Sequence, residues 1–271
     1  MDAKKILFIA QEITPYLPET EISRICRNLP QGIQERGREI RTFMPKFGYI
    51  NERRNQLHEV IRLSGMNLII EDTDHPLIIK VASIQSARMQ VYFIDNDDFF
   101  QRKAGIADSK GNEYEDNDER AIFYVRGVLE TVKKLRWIPD VIHCHGWMSD
   151  LAAVYVKRNY ADDPCLRNAK VICSIYDDAF KSKLNTAMPG KLKSNGVTDK
   201  DLALLKNDTG FIPYMKLAID FSDGIIQGSQ NIDPTLSEYI ASKKSTPFLP
   251  YQTEDTYIDA YNQFYDKIMG V

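Results

Sequence analysis

The sequence predicts a three-layer α/β protein built on a doubly wound, mostly parallel sheet with an antiparallel insertion. Continuous apolar runs such as Lys5–Ala10 (KILFIA) and Lys170–Ile175 (KVICSI) suit parallel strands covered on both faces. Segments with helical spacing alternate with such runs along most of the chain. The composition, 43% apolar and 27% charged over 271 residues, is that of an ordinary globular protein with enough apolar material for one large core.

The elements follow in order. Lys5–Ala10 is the first strand. Ile22–Arg36 places Ile22, Ile25, Cys26, Leu29 and Ile33 at helical spacing and stops at Gly37. Ile40–Met44 is the next strand, which closes a βαβ unit. Between residues 57 and 95 the pattern changes to short strand-like runs (VIRLSG, MNLIIED, PLIIKVASI, RMQVYFID) with no helix between them, a β-rich insertion. Asn96 or Asp97 then caps a short helix. Alternation resumes with a helix over Asp118–Arg136, a strand over Asp140–Cys144 and a helix over Met148–Lys157. Strand Lys170–Ile175, helix Pro213–Phe221, strand Gly224–Gln227 and helix Pro234–Ala241 follow. Residues 181–209 are polar and turn-rich, an expected surface excursion. The C-terminal helix, Thr253–Met269, carries an aromatic stripe (Tyr257, Tyr261, Phe264, Tyr265) suited to capping the core. One domain over 1–271 is expected.

The balance of charges excludes several functions. A net charge of −3 gives no electrostatic case for nucleic acid or an anionic membrane. No segment approaches the roughly 20 apolar residues of a membrane span, and the N-terminal apolar run is too short for a signal peptide. Cys26, Cys144, Cys165 and Cys173 show no paired-ligand spacing and read as small hydrophobes, which fits a cytoplasmic protein with no metal and no cofactor.

In open parallel sheets ligands bind beyond the carboxyl ends of the strands. Three such ends hold candidates: Gln11-Glu12, His143-Cys144-His145-Gly146-Trp147 and Tyr176-Asp177-Asp178. After the first, a phosphate-cradling loop would need glycines and free backbone N–H groups. The loop instead presents Pro18, Glu19, Thr20 and Glu21; proline lacks an N–H, and carboxylates repel a diphosphate. His143 and His145 are expected on opposite sides of their strand, which argues against one shared metal. Trp147 stacks a sugar face or packs in the core. Tyr176-Asp177-Asp178 hold hydroxyls or a cation, or Asp177 or Asp178 caps a helix before Ala179-Phe180.

Taken together, these segments resemble the N-terminal domain of bacterial glycogen synthases and plant starch synthases. The resemblance rests on Glu12 and Pro15 opening the first-strand loop, and on Leu29-Pro30 at the matching end of the family's helix. It rests also on Met44-Pro45-Lys46-Phe47-Gly48, VYFIDNDDFFQR (91–102), EYEDNDERAIFYVRGVLE (113–130), PDVIHCHGW (139–147) and SDGIIQGSQNIDPTLSEYI (222–240). It implies the N-terminal half of a GT-B fold and transfer of glucose from ADP-glucose to an α-1,4-glucan. Glu12, His143, His145, Trp147, Tyr176 and Asp177 become the sugar- or nucleotide-binding candidates; no catalytic residue is assigned. The chain departs from the family where function sits. The Lys-Thr-Gly-Gly donor loop corresponds to Pro18-Glu19-Thr20-Glu21, the following aspartate to Arg24, the aspartate of HDW to Gly146, and the histidine of the next strand end is absent. The second GT-B domain is expected to be missing. The resemblance therefore implies a domain not competent alone, completed by a separate chain or by self-association, or a non-catalytic module that binds α-glucan or a protein partner, with another nucleotide sugar as a third ligand.

Overall fold

The computed structural model describes residues 3–193 and 196–271. In chain order its elements are β1 (Lys5–Ala10), α1 (Glu21–Glu35), β2 (Glu39–Pro45), β3 (His58–Glu59), β4 (Met66–Ile70), β5 (Thr73–Ile84), β6 (Met89–Asp95), α2 (Asp97–Phe100) and α3 (Asn117–Lys134). There follow β7 (Val141–His145), α4 (Leu151–Lys157), β8 (Lys170–Ile175), α5 (Met188–Leu192), α6 (Phe211–Phe221), β9 (Gly224–Gln227), α7 (Pro234–Ser242), β10 (Phe248–Leu249) and α8 (Tyr257–Met269). The sheet runs β10-β9-β8-β7-β1-β2-β6-β5-β3, with β4 on β5. Every pairing from β10 to β6 is parallel; β5 pairs antiparallel with β6, β3 and β4.

Alternation of side chains along the strands builds two cores. Ile6, Phe8, Val141, Ile172 and Ile226 point to one face and meet α1 and α8. Leu7, Ile9, Cys144, Val171 and Ile225 point to the other and meet α3, α4 and α6. The aromatic stripe of α8 is core: Tyr257, Tyr261, Phe264 and Tyr265 are all buried. Arg38 fastens this helix by bonding Asn262 and Asp266 at 2.7 Å each, and Arg36 bonds Asp259 at 2.6 Å.

The structure corrects the sequence reading in four places. First, β6 belongs to the parallel sheet, in register with β2 (Thr42 opposite Val91), so the antiparallel insertion is only β3–β5. Second, Val60–Ser64 is a turn: Leu63 and Ser64 N–H bond back to the Val60 carbonyl, while Ile61 and Arg62 face solvent. Third, α1 runs through Pro30 to Glu35, as its apolar spacing predicts, so Leu29-Pro30 does not mark the end of the helix. Fourth, the segment 181–209 is anchored: Leu184, Met188, Leu192, Leu202 and Leu205 are buried, and Lys191 bridges Asp118 at 2.9 Å and Glu119 at 2.5 Å on α3. Its scattered apolar residues outweigh its polar composition because each finds a place in the core beside α3 and α6.

Candidate functional site

The chain runs from β1 outward to β2 and β6, then returns through α3 to β7 on the other side of β1. The topological switch point therefore lies between β1 and β7, and ligands of such sheets bind in the crevice outside those two carboxyl ends. Here Gln11 fills it. Its N–H donates to the His145 carbonyl at 2.9 Å, and its side-chain oxygen accepts from Met148 N–H at 3.1 Å. Gly146 faces it with φ 87° and ψ 147°, backbone that glycine adopts almost alone. A Cβ at position 146 would stand 2.7 Å from Gln11 Cβ. A side chain at 146 would need both a different backbone and a displaced glutamine.

His143 and His145 do not diverge. Residues two apart on a strand share a face, and the two rings lie 3.9 Å apart between centroids. Both are fully buried beneath α8. His143 Nδ1 meets the Tyr265 hydroxyl at 2.7 Å and its Nε2 meets Ser174 Oγ at 2.8 Å. His145 Nδ1 meets the Tyr176 hydroxyl at 2.7 Å, while its Nε2 has no partner among the described residues. Burial holds His143 well below the ordinary imidazole range and pushes His145 down to about 3, so both rings are neutral. His143, His145 and Tyr176 are thus brought together, but as a sealed polar cluster.

The remaining candidates separate. Trp147 has no exposed surface: it packs edge-on against Phe180 at 5.0 Å and Tyr214 at 5.9 Å, and offers no face to a sugar. Asp177 and Asp178 cap no helix of their own, since the next helix, α5, begins at Met188. Instead Asp178 accepts from Trp147 N–H at 2.9 Å and so caps the single turn after β7. Burial pushes its carboxyl up to about 7, and the charges of Glu12 and Asp177 add to the rise. Asp177 is exposed, its N–H bonded to Ser229 Oγ at 3.0 Å. Glu12, half-buried, accepts from the Thr20 hydroxyl at 2.6 Å.

The loop after β1 starts α1 through a reciprocal cap. Thr20 Oγ1 accepts from Ser23 N–H at 3.0 Å, and Ser23 Oγ accepts from Thr20 N–H at 2.8 Å. Glu21 accepts from the Ser229 hydroxyl at 2.5 Å, tying α1 to the end of β9. The head of this helix, which would attract an anion, is ringed by Glu12, Glu19 and Glu21. The cleft beside it, lined by Glu21, Arg24, Gly228, Tyr251, Tyr257 and Tyr261, measures about 90 Å³. Enclosed ligand pockets usually measure roughly 300–1,000 Å³, so this cleft by itself is a small depression. Gln11, named from sequence only as part of a strand end, and Ser174, Ser229 and Tyr265, not singled out from sequence as site residues, complete the site. Strand parity, which sets Ser174 and Tyr176 on the face of His143 and His145, is the signal that could have found Ser174.

The fold and the switch-point geometry define a Rossmann-like α/β unit of the GT-B glycosyltransferase type. The chain belongs to the starch synthase catalytic domain family, whose profile matches residues 5–240. It is similar to glycogen synthase of Chlorobaculum tepidum, 36% identical over 174 residues, and to glycogen synthase of Chlorobium limicola, 34% identical over the same length. Each match covers 64% of this chain and 36% of the relative, so the match spans about a third of the curated relatives' length. The catalytic domain of starch synthase IV from Arabidopsis thaliana, bound to ADP and acarbose, superimposes on 94% of this chain and 53% of its own with a TM-score of 0.73. At 17% identity that likeness concerns the fold. Among the described residues no helix is long and apolar enough to cross a membrane.

Proposed function

We propose that this chain is a starch-synthase-type domain that holds an α-glucan without itself gripping ADP-glucose. The observation that carries the reading is the filled switch-point crevice: Gln11 occupies it, and Gly146 has a backbone that no other residue adopts readily. The surrounding chemistry agrees. The imidazoles that would meet a sugar are neutral and roofed by Tyr265 and Tyr176. Pro18 and three carboxylates replace phosphate-binding N–H groups at the head of α1. Membership of the starch synthase catalytic domain family supports affinity for a glucan.

The test uses the chain alone with ADP-glucose as donor and glycogen as acceptor, alongside calorimetric titration of ADP-glucose and of maltooligosaccharides. Expected are no glucose transfer, no heat with ADP-glucose, and saturable heat with the maltooligosaccharides. Glucose transfer above the protein-free blank overturns the reading. Absence of maltooligosaccharide binding removes the glucan and leaves a protein partner as the ligand.

A further inference from the structure

On the sheet face opposite the histidines, Cys144 of β7, Cys173 of β8 and Asp150, just before α4, converge. Their two sulfurs and a carboxylate oxygen all lie within 4.8 Å of one another, and all three residues are fully buried. The two cysteines are brought side by side by strand register, since Cys144 pairs directly with Cys173 between parallel strands. Among the described residues the buried carboxyl of Asp150 has no hydrogen-bond partner beyond the neighbouring Cys173 thiol. A carboxylate in that state is costly. Neither the fold nor the proposed glucan function requires it.

We infer that Cys144, Cys173 and Asp150 form a structural site for a thiophilic divalent cation of the zinc type. Two thiolates and a carboxylate are a donor set that favours zinc over magnesium or calcium, which take all-oxygen shells. The two sulfurs and both oxygens of Asp150 would supply four donor atoms in all, in a shell distorted from the tetrahedral by the narrow bite of the carboxylate. Zinc–sulfur bonds of ~2.3 Å at a near-tetrahedral angle set the sulfurs ~3.8 Å apart, and here the ligand atoms lie no more than 4.8 Å from one another. Loading exchanges the two thiol protons and any carboxyl proton for one cation, with no redox change. The ligands come from three elements that meet only in the folded chain, so the ion enters as the chain folds and links β7, β8 and α4.

The experiment refolds the full chain with zinc, removes free metal by gel filtration and measures bound metal. A parallel refolding with Co²⁺ reads the thiolate-to-cobalt charge-transfer band. Expected are one zinc per chain, a thiolate–cobalt band, and a melting temperature that falls when chelator is present during unfolding. Cys144→Ser, Cys173→Ser and Asp150→Asn should each lower bound zinc at least tenfold, whereas Cys165→Ser should not. If a variant fails to fold, the wild-type zinc content and cobalt band still decide. Folded wild type with less than a tenth of an equivalent of zinc and no cobalt band overturns the inference and leaves three protonated groups in contact. Zinc that binds but persists in all three ligand variants overturns the location.

Discussion

Tyr265 and Ser174 bond opposite nitrogens of one buried ring, at 2.7 and 2.8 Å from His143, which allows a sharp test of the sealed cluster. A neutral imidazole carries a single N–H, so one hydroxyl donates to the ring and the other accepts from it. All three residues are at most 1% exposed, so water does not replace a lost partner. Tyr265→Phe removes one oxygen and opens no sizeable cavity. Its cost is that of leaving a ring nitrogen unpaired, about 1–3 kcal/mol. Ser174→Ala should cost a similar amount. The two bonds share one polarisable ring, so the double variant should cost less than the sum, by about 0.5 kcal/mol or more. Urea unfolding at pH 7.5, where both rings are neutral, gives the four free energies of the cycle. Each kcal/mol also appears as about 2–4 °C in the melting temperature for a chain of this size. A Tyr265→Phe variant within about 0.5 kcal/mol of the parent, or a cycle additive to within ~0.3 kcal/mol, would refute the relay.

Three further outcomes follow from the same geometry. Asp178, with its carboxyl raised to about 7 by burial, contributes stability that is fully present below the ordinary carboxylate range and is lost as pH rises through 7. Asp178→Asn keeps an acceptor for Trp147 N–H, so relative to the parent it should gain about 1–2 kcal/mol between pH 5 and pH 8, after allowance for the solvent at its half-exposed edge; unfolding curves that shift in parallel at both values would sink this. Gly146→Ala should cost about 1–3 kcal/mol through its backbone alone, and adding Gln11→Ala should leave most of that cost in place, as measured by thermal unfolding. At Gly228 a Cβ would stand 2.5 Å from the Tyr176 ring, so Gly228→Ala should push that phenol off His145 and destabilise by about 1–3 kcal/mol; a shifted His145 ring signal in NMR reads the displacement directly.

The parts of this molecule legible in sequence are those set by short-range pattern. The buried parallel strands announce themselves as unbroken apolar runs, and β1, β8 and β9 begin and end where those runs do. The helices follow from spacing, and the cap at Asn96 from its place before two acidic residues, where it accepts from Asp98 and Phe99 N–H. Val60–Ser64 was misread because a short apolar run does not distinguish a strand from a turn whose Ile61 simply faces water. The site was legible only as a set of strand ends. What those ends do depends on which residues lie beside one another across strands, and a single sequence carries no register.

Register and parity together explain why the most chemical residues were the least predictable. In β7 and β8 the pairs Cys144–Cys173 and His145–Ser174 are adjacent rungs of one ladder. One rung therefore faces α4 and α6 while the next faces α8. Each rung joins residues 29 apart in sequence, a spacing that matches no local motif. The sulfur rung meets Asp150 from the head of α4; the imidazole face meets Tyr265 from the last helix. The glutamate-bearing loop after β1 belongs to the same arrangement. Thr20 and Ser23 spend their hydroxyls on the helix cap, Glu21 reaches to Ser229, and Gln11 turns into the crevice. Restoring Lys-Thr-Gly-Gly at residues 18–21 would thus not recreate a donor site. The crevice behind that loop would still hold Gln11, and Gly146 would still lack room for an aspartate. Such a variant should bind ADP-glucose no better than the parent in a calorimetric titration, and measurable binding from the loop exchange alone would show that the loop, not the crevice, is what excludes the nucleotide.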